Sequence, residues 1–461
     1  MLFPRAFCFV VLGILAFVPL PFRAASAELP PAEAEAGILA RIKAPEFAAR
    51  DFVITDFGAR PGEDCTEAIA KAIAACHEAG GGRVVAPEGV WLTGAVHLQS
   101  KVNLHLAQGA TLRFDPDPRK YLPVTLTRFE GIECMNYSPL IYAFEQENVA
   151  ITGQGTLDGS ASAETWWAWN AKSKTAPARQ TADRKRLDQQ GTDGTPVAER
   201  VYGDGHFLRP NFIQMYRCRN VLIEGVTIVN SPMWEIHPAL CANVIVRGVK
   251  IHSLGTNNDG CDPECCRDAL IEDCVFETGD DCIAIKSGRN NDGRRVGVAS
   301  ENIVVRRCVM KDGHGGVTMG SEVSGGVRNV FVEDCKMDSP NLDRAFRFKS
   351  NAERGGVIEN VLVRHVAIGR VARAVLSVEF DYEEGARGSH MPVLRNVLIE
   401  GVTAESAGRV ATITAFPGAI IEGVRLKDCV FRGVEAADVL KDAGTLTLQN
   451  VVIEPAKREK Q

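Results

Sequence analysis

The sequence predicts an all-β fold, a parallel β-helix in which short strands stack coil on coil. One phrase recurs along the chain, an Asn or Asp followed by alternating β-branched and apolar residues, beginning at Asn148, Asn220, Asn243, Asp268, Asn302, Asn329, Asn360 and Asn396. Its tightest spacings are 23 and 25 residues, which suits one coil per repeat. The segments are too short for amphipathic helices, and their period of two is that of strands.

The elements before the repeat fit this fold. Residues 28–50 are rich in Ala, Glu and Pro and are predicted to be a linker, and residues 51–455 a single β-helix domain. The stretch from Thr66 to Ala79 predicts a helix with one apolar face, ended by a run of three glycines. This helix is expected to cap the N-terminal end of the solenoid, where bare strand edges invite aggregation.

The first residues predict a targeting segment. Arg5 precedes an apolar run over residues 7–20, and Ala25-Ser26-Ala27 forms a small-x-small site, so residues 1–27 are interpreted as a secretory signal peptide cleaved after Ala27. An uncleaved N-terminal anchor is the alternative. The prediction is a secreted or periplasmic, monomeric protein with no membrane association after cleavage. The net charge of −6 gives no indication of a nucleic-acid partner.

Removal of Cys8 with the signal peptide leaves 13 cysteines, an odd number that argues against a complete disulfide framework. Four of them occupy the same position of the repeat and predict a column of buried thiols: Cys274, Cys308, Cys335 and Cys429. Cys261, Cys265 and Cys266 lack the second paired motif of a zinc site, so no metal or other cofactor is predicted.

The functional residues are predicted on one flank of successive coils. Asp280 and His314 each lie 12 residues after the start of their repeats, and Asp259 precedes Asp280 by 21 residues, close to one coil. Arg347 and Lys349 follow one coil further with an insertion, and side chains two apart on a strand point the same way. Asp281 must lie with Asp280 at a bend if both are to reach one cleft.

Crowded carboxylates next to basic residues suit glycoside hydrolysis of an anionic sugar. One carboxyl must carry a proton for the leaving oxygen and another must be ionised to activate water, and crowding separates their pKa values. Arg347, Lys349 and Lys286 are candidates for binding a sugar carboxylate. Asn257, His237 and Arg209 are further candidate substrate contacts, with a structural role as the alternative for the last two.

Four motifs resemble those of glycoside hydrolase family 28, the polygalacturonase family. They are Asn257-Asn258-Asp259, Gly279-Asp280-Asp281, Gly313-His314-Gly315 and Arg347-Phe348-Lys349, and only Asn258 and Phe348 depart from the family pattern. The resemblance implies a right-handed, pectin-lyase-like β-helix and inverting, metal-free hydrolysis of α-1,4-galacturonosyl bonds in pectic polysaccharide or oligogalacturonides. It also implies Asp280 as general acid, Asp259 and Asp281 as the residues that hold and deprotonate water, and His314 as a residue that tunes the acid.

The attack mode depends on loops. A polar insertion at 160–205, with Trp166, Trp167 and Trp169, is a solvated loop or a wall that closes one end of the groove, its tryptophans stacking on sugar. Together with segments similar to bacterial exo-acting members, it favours an exo-polygalacturonase. The alternatives are a rhamnogalacturonan or xylogalacturonan hydrolase, a calcium-dependent pectate lyase, and a non-catalytic glycan-binding β-helix.

Overall fold

The computed structural model describes residues 32–171 and 178–457. Parallel strands wind into coils, and each coil contributes strands to neighbouring sheets, so the predicted parallel β-helix is confirmed. The strands of one sheet, called sheet 1, follow chain order without exception, as a solenoid requires. Its 13 strands are Asp51–Val53, Gly82–Ala86, Val102–Leu106, Glu147–Gly153, Arg219–Glu224, Ala242–Arg247, Arg267–Glu272, Ser300–Arg306, Val327–Glu333, Val357–Arg364, Val393–Glu400, Ile420–Lys427 and Leu446–Gln449.

The remaining strands form three further sheets. Sheet 2 has 16 strands, Gly89–Thr93, Ala110–Phe114, Thr156–Asp158, Thr227–Val229, Lys250–Ser253, Val275–Thr278, Ile283–Ile285, Val309–Met310, Val317–Met319, Lys336–Met337, Arg344–Lys349, Ala367–Glu379, Thr403–Thr414, Val430–Val434, Val439–Lys441 and Val452–Pro455. A four-stranded sheet contains Val96–His97, Ile141–Phe144, Ile213–Tyr216 and Ile236–Ala239. A three-stranded sheet contains the antiparallel hairpin Thr125–Phe129 and Ile132–Asn136, with Val201–Tyr202 beside it.

Helices lie outside the coils. The α-helices are Ala32–Arg41, Thr66–Glu78, Gln180–Asp193 and Asn290–Val296, and the 3₁₀ helices are Ile54–Phe57, Pro118–Tyr121, Trp166–Trp169 and Val197–Glu199. Thr66–Glu78 is the predicted capping helix, and the side chains that it buries against the first coils are those of its predicted apolar face, Ala68, Ile69, Ala72, Ile73 and Cys76. Ala32–Arg41, within the predicted linker, packs Ile38 on the outer apolar face of sheet 1.

The asparagines that begin the repeats form a ladder. Each has a positive φ, 57° at Asn220 and 58° at Asn329 for example, a conformation that Asn tolerates better than most residues. The Nδ2 atom of Asn329 donates to Oδ1 of Asn302 at 3.0 Å, and Nδ2 of Asn360 donates to Oδ1 of Asn329 at 3.1 Å. The repeat is therefore held at this bend by amide hydrogen bonds between coils.

The 13 cysteines of the described residues are all free and buried. The four that share a repeat position are no more than 1% exposed, which confirms the predicted thiol positions. No helix within the described ranges is long and apolar enough to cross a membrane. The predicted signal peptide, residues 1–27, lies outside the described residues.

Candidate active site

The candidate site lies on a row of parallel segments that continues from the four-stranded sheet into sheet 2. Ile236 pairs with Cys261 and Cys261 with Ile283, which pairs in turn with Val317. Val317 is followed in register by Phe346. All these side chains are buried in the core, so the residues next to them on each segment point outward. The four predicted motifs thus stand on neighbouring coils of one face.

Hydrogen bonds between neighbouring coils give the register of the motifs. The nitrogen of Gly260 donates to the carbonyl of Asp281 at 3.0 Å, which aligns Asp259 with Asp281. Asp280 is aligned with His314, whose nitrogen donates to the carbonyl of Asp280 at 3.0 Å. The predicted shared position of Asp280 and His314 on successive coils is therefore confirmed, and Asp259 lies one coil before Asp281.

A bend brings the three carboxylates together. Asp280 lies in a bend between the strands Val275–Thr278 and Ile283–Ile285, as predicted. One carboxylate oxygen each from Asp259, Asp280 and Asp281 lies within 4.8 Å of the others. A Cβ on Gly315 would lie 2.8 Å from Oδ1 of Asp281, which explains why that position is glycine. These three residues are called the acidic trio below.

Two members of the trio have opposite electrostatic environments. Burial, with the charge of Asp280 nearby, raises the pKa of Asp259 to about 8. Burial alone would raise the pKa of Asp281 too, but the ammonium of Lys349 and the guanidinium of Arg347 outweigh it and hold that pKa below its usual range. At neutral pH the trio therefore keeps a proton at Asp259 while Asp281 stays ionised.

Asp280 is the accessible member of the trio. Its side chain is 18% exposed, against 4% for Asp259 and 0% for Asp281. Nδ1 of His314 lies 3.0 Å from Oδ1 of Asp280, and this hydrogen bond raises the pKa of His314 above its ordinary value. A protonated His314 can therefore stabilise Asp280 as a carboxylate.

Arg347 and Lys349 contact the trio directly. Nζ of Lys349 donates to Oδ2 of Asp281 at 2.7 Å, and the NH1 group of Arg347 lies 3.4 Å from Oδ1. The Nε and NH2 groups of Arg347 also donate to the carboxylate of Glu379, at 3.1 and 2.7 Å. The Tyr382 ring lies beside both basic side chains. The predicted basic pair is thus beside the acids, already engaged by carboxylates.

Lys286 lies beneath the trio. Its ammonium is 3% exposed and lies 3.3 Å from Glu322, 3.5 Å from Asp259 and 3.6 Å from Asp262. Burial disfavours the charge of Lys286, but these carboxylates outweigh burial and raise its pKa well above the usual value. Lys286 therefore neutralises buried acids and also lines the cavity at the trio, and its predicted contact with substrate stays a prediction.

Two of the predicted substrate contacts are internal, which corrects the prediction. Arg209 is fully buried, and its guanidinium donates to Oδ1 of Asn257 at 2.7 Å and to the carbonyls of Pro232 and Thr256. His237 is also fully buried, with Nε2 lying 2.8 Å from Oε2 of Glu264. Arg209 therefore positions the loop of Asn257, which does line the cavity at the trio, whereas His237 belongs to a buried polar cluster.

The tryptophans of the insertion pack on the solenoid, away from the trio. Trp166 and Trp169 are 1% and 7% exposed, and their rings meet edge-on with centres 4.8 Å apart. Trp167 is half-buried and donates its Nε1 hydrogen to the carbonyl of Ser231 at 2.8 Å. They anchor the insertion, and none of them lines the cavity at the trio, where the predicted stacking on sugar would be needed.

The cavity at the trio is closed on one side by elements outside the coils. Its empty space, part of which is open to solvent, has a volume of about 390 Å³. Its wall includes Glu130 from the hairpin turn, Arg184 from the helix Gln180–Asp193, and Tyr382 with Glu383 from the loop after Ala367–Glu379.

Ion pairs connect the side chains of this wall. Nε of Arg184 lies 2.5 Å from Glu130, and its NH2 group lies 3.3 Å from Glu383. Arg289, 3% exposed, joins the same network at 2.9 Å from Glu130 and 3.1 Å from Asp188. We refer to Glu130, Arg184 and Glu383 as the end wall. The helical part of the insertion thus contributes Arg184 to this wall, while Glu130 and Glu383 come from outside the insertion.

Sequence reasoning missed several site residues. Glu379 pairs in register with Lys349, so the spacing of the coils could have indicated it. Trp234 precedes Asp259 by one coil, so the same spacing could have indicated it. The centre of its ring lies 4.3 Å from Nζ of Lys286. Glu130 and Arg184 come from elements outside the repeat, and no local pattern points to them.

Comparison with known proteins identifies the family. The family model of glycosyl hydrolases family 28 matches residues 199–442, more than half of the chain. The protein belongs to glycosyl hydrolases family 28. The predicted family and the prediction of a glycosidase are therefore confirmed.

Individual relatives carry polygalacturonase names. The chain is 45% identical to a hyperthermoactive exopolygalacturonase from Thermotoga maritima of known structure, with a TM-score of 0.88, covering 92% of this chain and 96% of that one. It is 27% identical to a probable polygalacturonase of Vitis vinifera, covering 75% of this chain and 66% of the relative. It is also 27% identical to an exo-poly-alpha-D-galacturonosidase of Dickeya chrysanthemi, covering 72% of this chain and 57% of the relative. The chain thus spans less than two thirds of these two curated relatives.

Proposed function

We propose that this family 28 glycosidase is an exo-acting polygalacturonase that removes terminal galacturonosyl residues from polygalacturonan or oligogalacturonides. The observation that carries the proposal is the acidic trio in a cavity of about 390 Å³ whose far side is closed by the end wall. A groove blocked on that side by the end wall would admit only a chain end. Similarity to the Thermotoga maritima exopolygalacturonase over 92% of the chain also supports attack from a chain end.

Asp280 is the proposed general acid. It is the trio member most open to the cavity, and the nearby His314 imidazolium stabilises the carboxylate that remains after the proton has passed to the glycosidic oxygen. The proton that the free protein keeps at Asp259 moves to Asp280 within the trio, whose oxygens lie within 4.8 Å of one another. Asp280 starts the step protonated and ends it ionised.

Asp281 and Asp259 are the proposed partners of the attacking water. Lys349 and Arg347 keep Asp281 ionised, so it can accept a proton from water as the water oxygen bonds to the anomeric carbon. The proton released by water replaces the one given to the leaving oxygen, and the trio's proton count is restored. Arg347 and Lys349 are also the proposed contacts for the galacturonate carboxylate, Lys349 from the cavity lining and Arg347 by exchanging a contact with Glu379 or Asp281 for one with the substrate.

Inversion of the anomeric centre is proposed from the resemblance of the four motifs to those of glycoside hydrolase family 28, and the three carboxylates provide the groups that it needs. A retaining enzyme needs only an acid and a nucleophile, whereas here two carboxylates remain beside Asp280 to orient water. The oxygens lie closer, within 4.8 Å, than the separation of about 6.5–9.5 Å common in inverting enzymes. Proton NMR of the first product tests this directly, since inversion of an α-linkage yields the β-anomer and retention yields the α-anomer.

A calcium-dependent lyase is disfavoured by the charges at the trio. Calcium binds six to eight oxygen ligands, but Lys349 and Arg347 already pair with Asp281, and the ammonium of Lys286 lies 3.5 Å from Asp259. Incubation with polygalacturonic acid, with and without chelator, separates the two reactions. Saturated products with chelator present support the hydrolase, whereas unsaturated products that disappear with chelator overturn it.

We also propose that the chain is exported, with residues 1–27 as the signal peptide and residues 51–455 as one catalytic domain that acts as a monomer on plant cell-wall pectin. The supporting sequence is the apolar run followed by Ala25-Ser26-Ala27. Fractionation of a producing cell with N-terminal sequencing, and light scattering of the purified protein, test the two points.

A further inference from the structure

The ammonium of Lys286 lies between three acids without binding any of them closely. Its distances to Glu322, Asp259 and Asp262 are 3.3, 3.5 and 3.6 Å, whereas a close ammonium–carboxylate hydrogen bond measures about 2.8 Å. The centre of the Trp234 ring lies 4.3 Å from the same nitrogen, so an aromatic face also borders the ammonium. The charge is therefore shared among the acids, and a change in one acid alters the attraction of Lys286 to the others.

The backbone holds Lys286 beside the coil that carries Asp259. The nitrogen of Lys286 donates to the carbonyl of Pro263 at 3.0 Å, and its carbonyl accepts from Oγ of Ser300 at 2.7 Å. These contacts are buried, as is the lysine side chain. The ammonium therefore depends on the neighbouring acids to compensate its charge.

Asp259 and Asp262 have few other donors. Both carboxylate oxygens of Asp262 are buried and lack a hydrogen-bond partner within the described ranges. Asp259 forms an ion pair with Lys286 alone among the described residues. Burial without donors favours the protonated form of a carboxyl, and a nearby ammonium favours the ionised form. The balance at Asp259 thus depends on how much of the Lys286 charge it receives.

Other titratable groups face this cluster from the neighbouring segments. They are the acids Asp280, Asp281 and Glu235, the bases Arg289, Arg347, Lys349 and Arg354, and the rings of His237 and Tyr382. Each of these bases is already paired with an acid other than Asp259, and His237 is paired with Glu264. The charges of the end wall pair with one another. Lys286 is therefore the cation on which the protonation of Asp259 depends.

We propose that Lys286 is a positioning residue that determines up to which pH Asp259 keeps its proton, and that Glu322 competes with Asp259 for the charge of Lys286. The proposal rests on the proposed function, in which the acidic trio supplies the proton for the leaving oxygen. Lys286 acts here through Asp259 and needs no contact with the reacting atoms. Lys286 and Glu322 together then determine the alkaline limit of the reaction, in opposite directions.

Two substitutions with opposite expected effects test the proposal. Lys286→Met removes the cation, so Asp259 keeps its proton to higher pH, and the alkaline limit of kcat/KM should rise by about one pH unit or more. Glu322→Gln removes the competing carboxylate, so the ammonium turns to Asp259 and the limit should fall below the parental value. A purely structural lysine would lower kcat/KM at every pH and leave the limit in place. Limits that stay unchanged, or that move in the same direction in both variants, overturn the proposal.

Three further variants complete the series. Lys286→Arg retains the charge and should keep the parental limit. If Lys286→Met does not fold, Lys286→Met/Glu322→Gln replaces it, because it removes the cation together with its nearest acid; its limit should lie above that of Glu322→Gln, and an equal limit overturns the proposal. Lys336→Met is the matched control, since Lys336 is exposed on sheet 2 and does not line the cavity.

A titration of the free protein separates this proposal from the proposed function. Infrared spectroscopy of the carboxyl C=O stretch follows protonated acids without turnover, and Asp259→Asn identifies the band of Asp259. In the parent this band should disappear as pH rises through about 8, and in Lys286→Met it should persist to higher pH. A raised midpoint supports the proposal even if no substrate is hydrolysed. An unchanged midpoint overturns it even if the parent hydrolyses polygalacturonate, and the proposed function then stands alone.

Discussion

Asp280 is the residue on which the proposed chemistry depends most. Replacement by Asn keeps the shape of the side chain but removes the proton that the leaving oxygen needs. We expect kcat to fall at least about 100-fold, the usual contribution of general acid catalysis. Steady-state hydrolysis of polygalacturonate measures it, and an unchanged melting temperature serves as the control, because the side chain is partly exposed at the cavity. A variant that keeps a tenth or more of parental kcat would contradict the role.

The pKa of Asp259 predicts the alkaline limit of activity. Its raised value of about 8 means that the trio holds a proton below that pH and loses it above. Because a fully ionised trio has no proton for the leaving group, kcat/KM is expected to fall as pH rises through about 8. On the acid side the limit should lie below the ordinary range of Asp, since the pKa of Asp281 is lowered. A kcat/KM profile that declines already below pH 6 on its alkaline side would refute this assignment of the proton.

At the scale of an element, the Asn ladder is expected to hold the coils in register. Asn329→Ala removes hydrogen bonds to Asn302 and Asn360 and places alanine at a φ of 58°. We expect a loss of about 2–4 kcal/mol in the free energy of unfolding, from two amide hydrogen bonds and the left-handed conformation.

Asn329→Gly separates the two contributions, since glycine accepts the positive φ but cannot join the ladder. Its expected loss is about 1–2 kcal/mol. Urea denaturation followed by circular dichroism compares the three proteins. Equal stability of the Ala variant and the parent would show that the ladder contributes nothing.

The end wall is the element that we expect to determine the size of the product. Arg184→Ala/Glu383→Ala removes two side chains from the closed side of the cavity and their ion pair. Opening this side should allow a further sugar to bind, so digalacturonate should appear among the first products. Chromatography of early products measures the change, with Lys185→Ala on the exposed face of the same helix as control. Monomer as the sole early product of the double variant would argue against the wall.

Over the whole molecule, the repeat explains what could be predicted. The stacking of coils determines which residues become neighbours when they recur at the same place in successive coils. The proximity of Asp259, Asp280 and His314 could therefore be predicted from their spacing in the sequence. The fold, the capping helix and the thiol positions follow from the same regularity.

Burial and long insertions were harder to predict. Arg209 and His237 stand in polar stretches that resemble cleft residues, but tertiary contacts with Gln180 and Glu264 bury them. The end wall joins a hairpin, a helix and a loop that are distant in sequence, as the ion pair between Arg184 and Glu383 shows. No local period links such segments, so only the folded chain reveals that they meet.

The central claim is that the protein hydrolyses polygalacturonan from a chain end. The most direct measurement is the size distribution of products from polygalacturonic acid over time, taken together with the viscosity of the solution. The structure predicts galacturonate monomer from the earliest samples and slow loss of viscosity, because the end wall admits only a chain end. An early ladder of oligomers with a rapid drop in viscosity would contradict exo attack and show that chains pass the end wall.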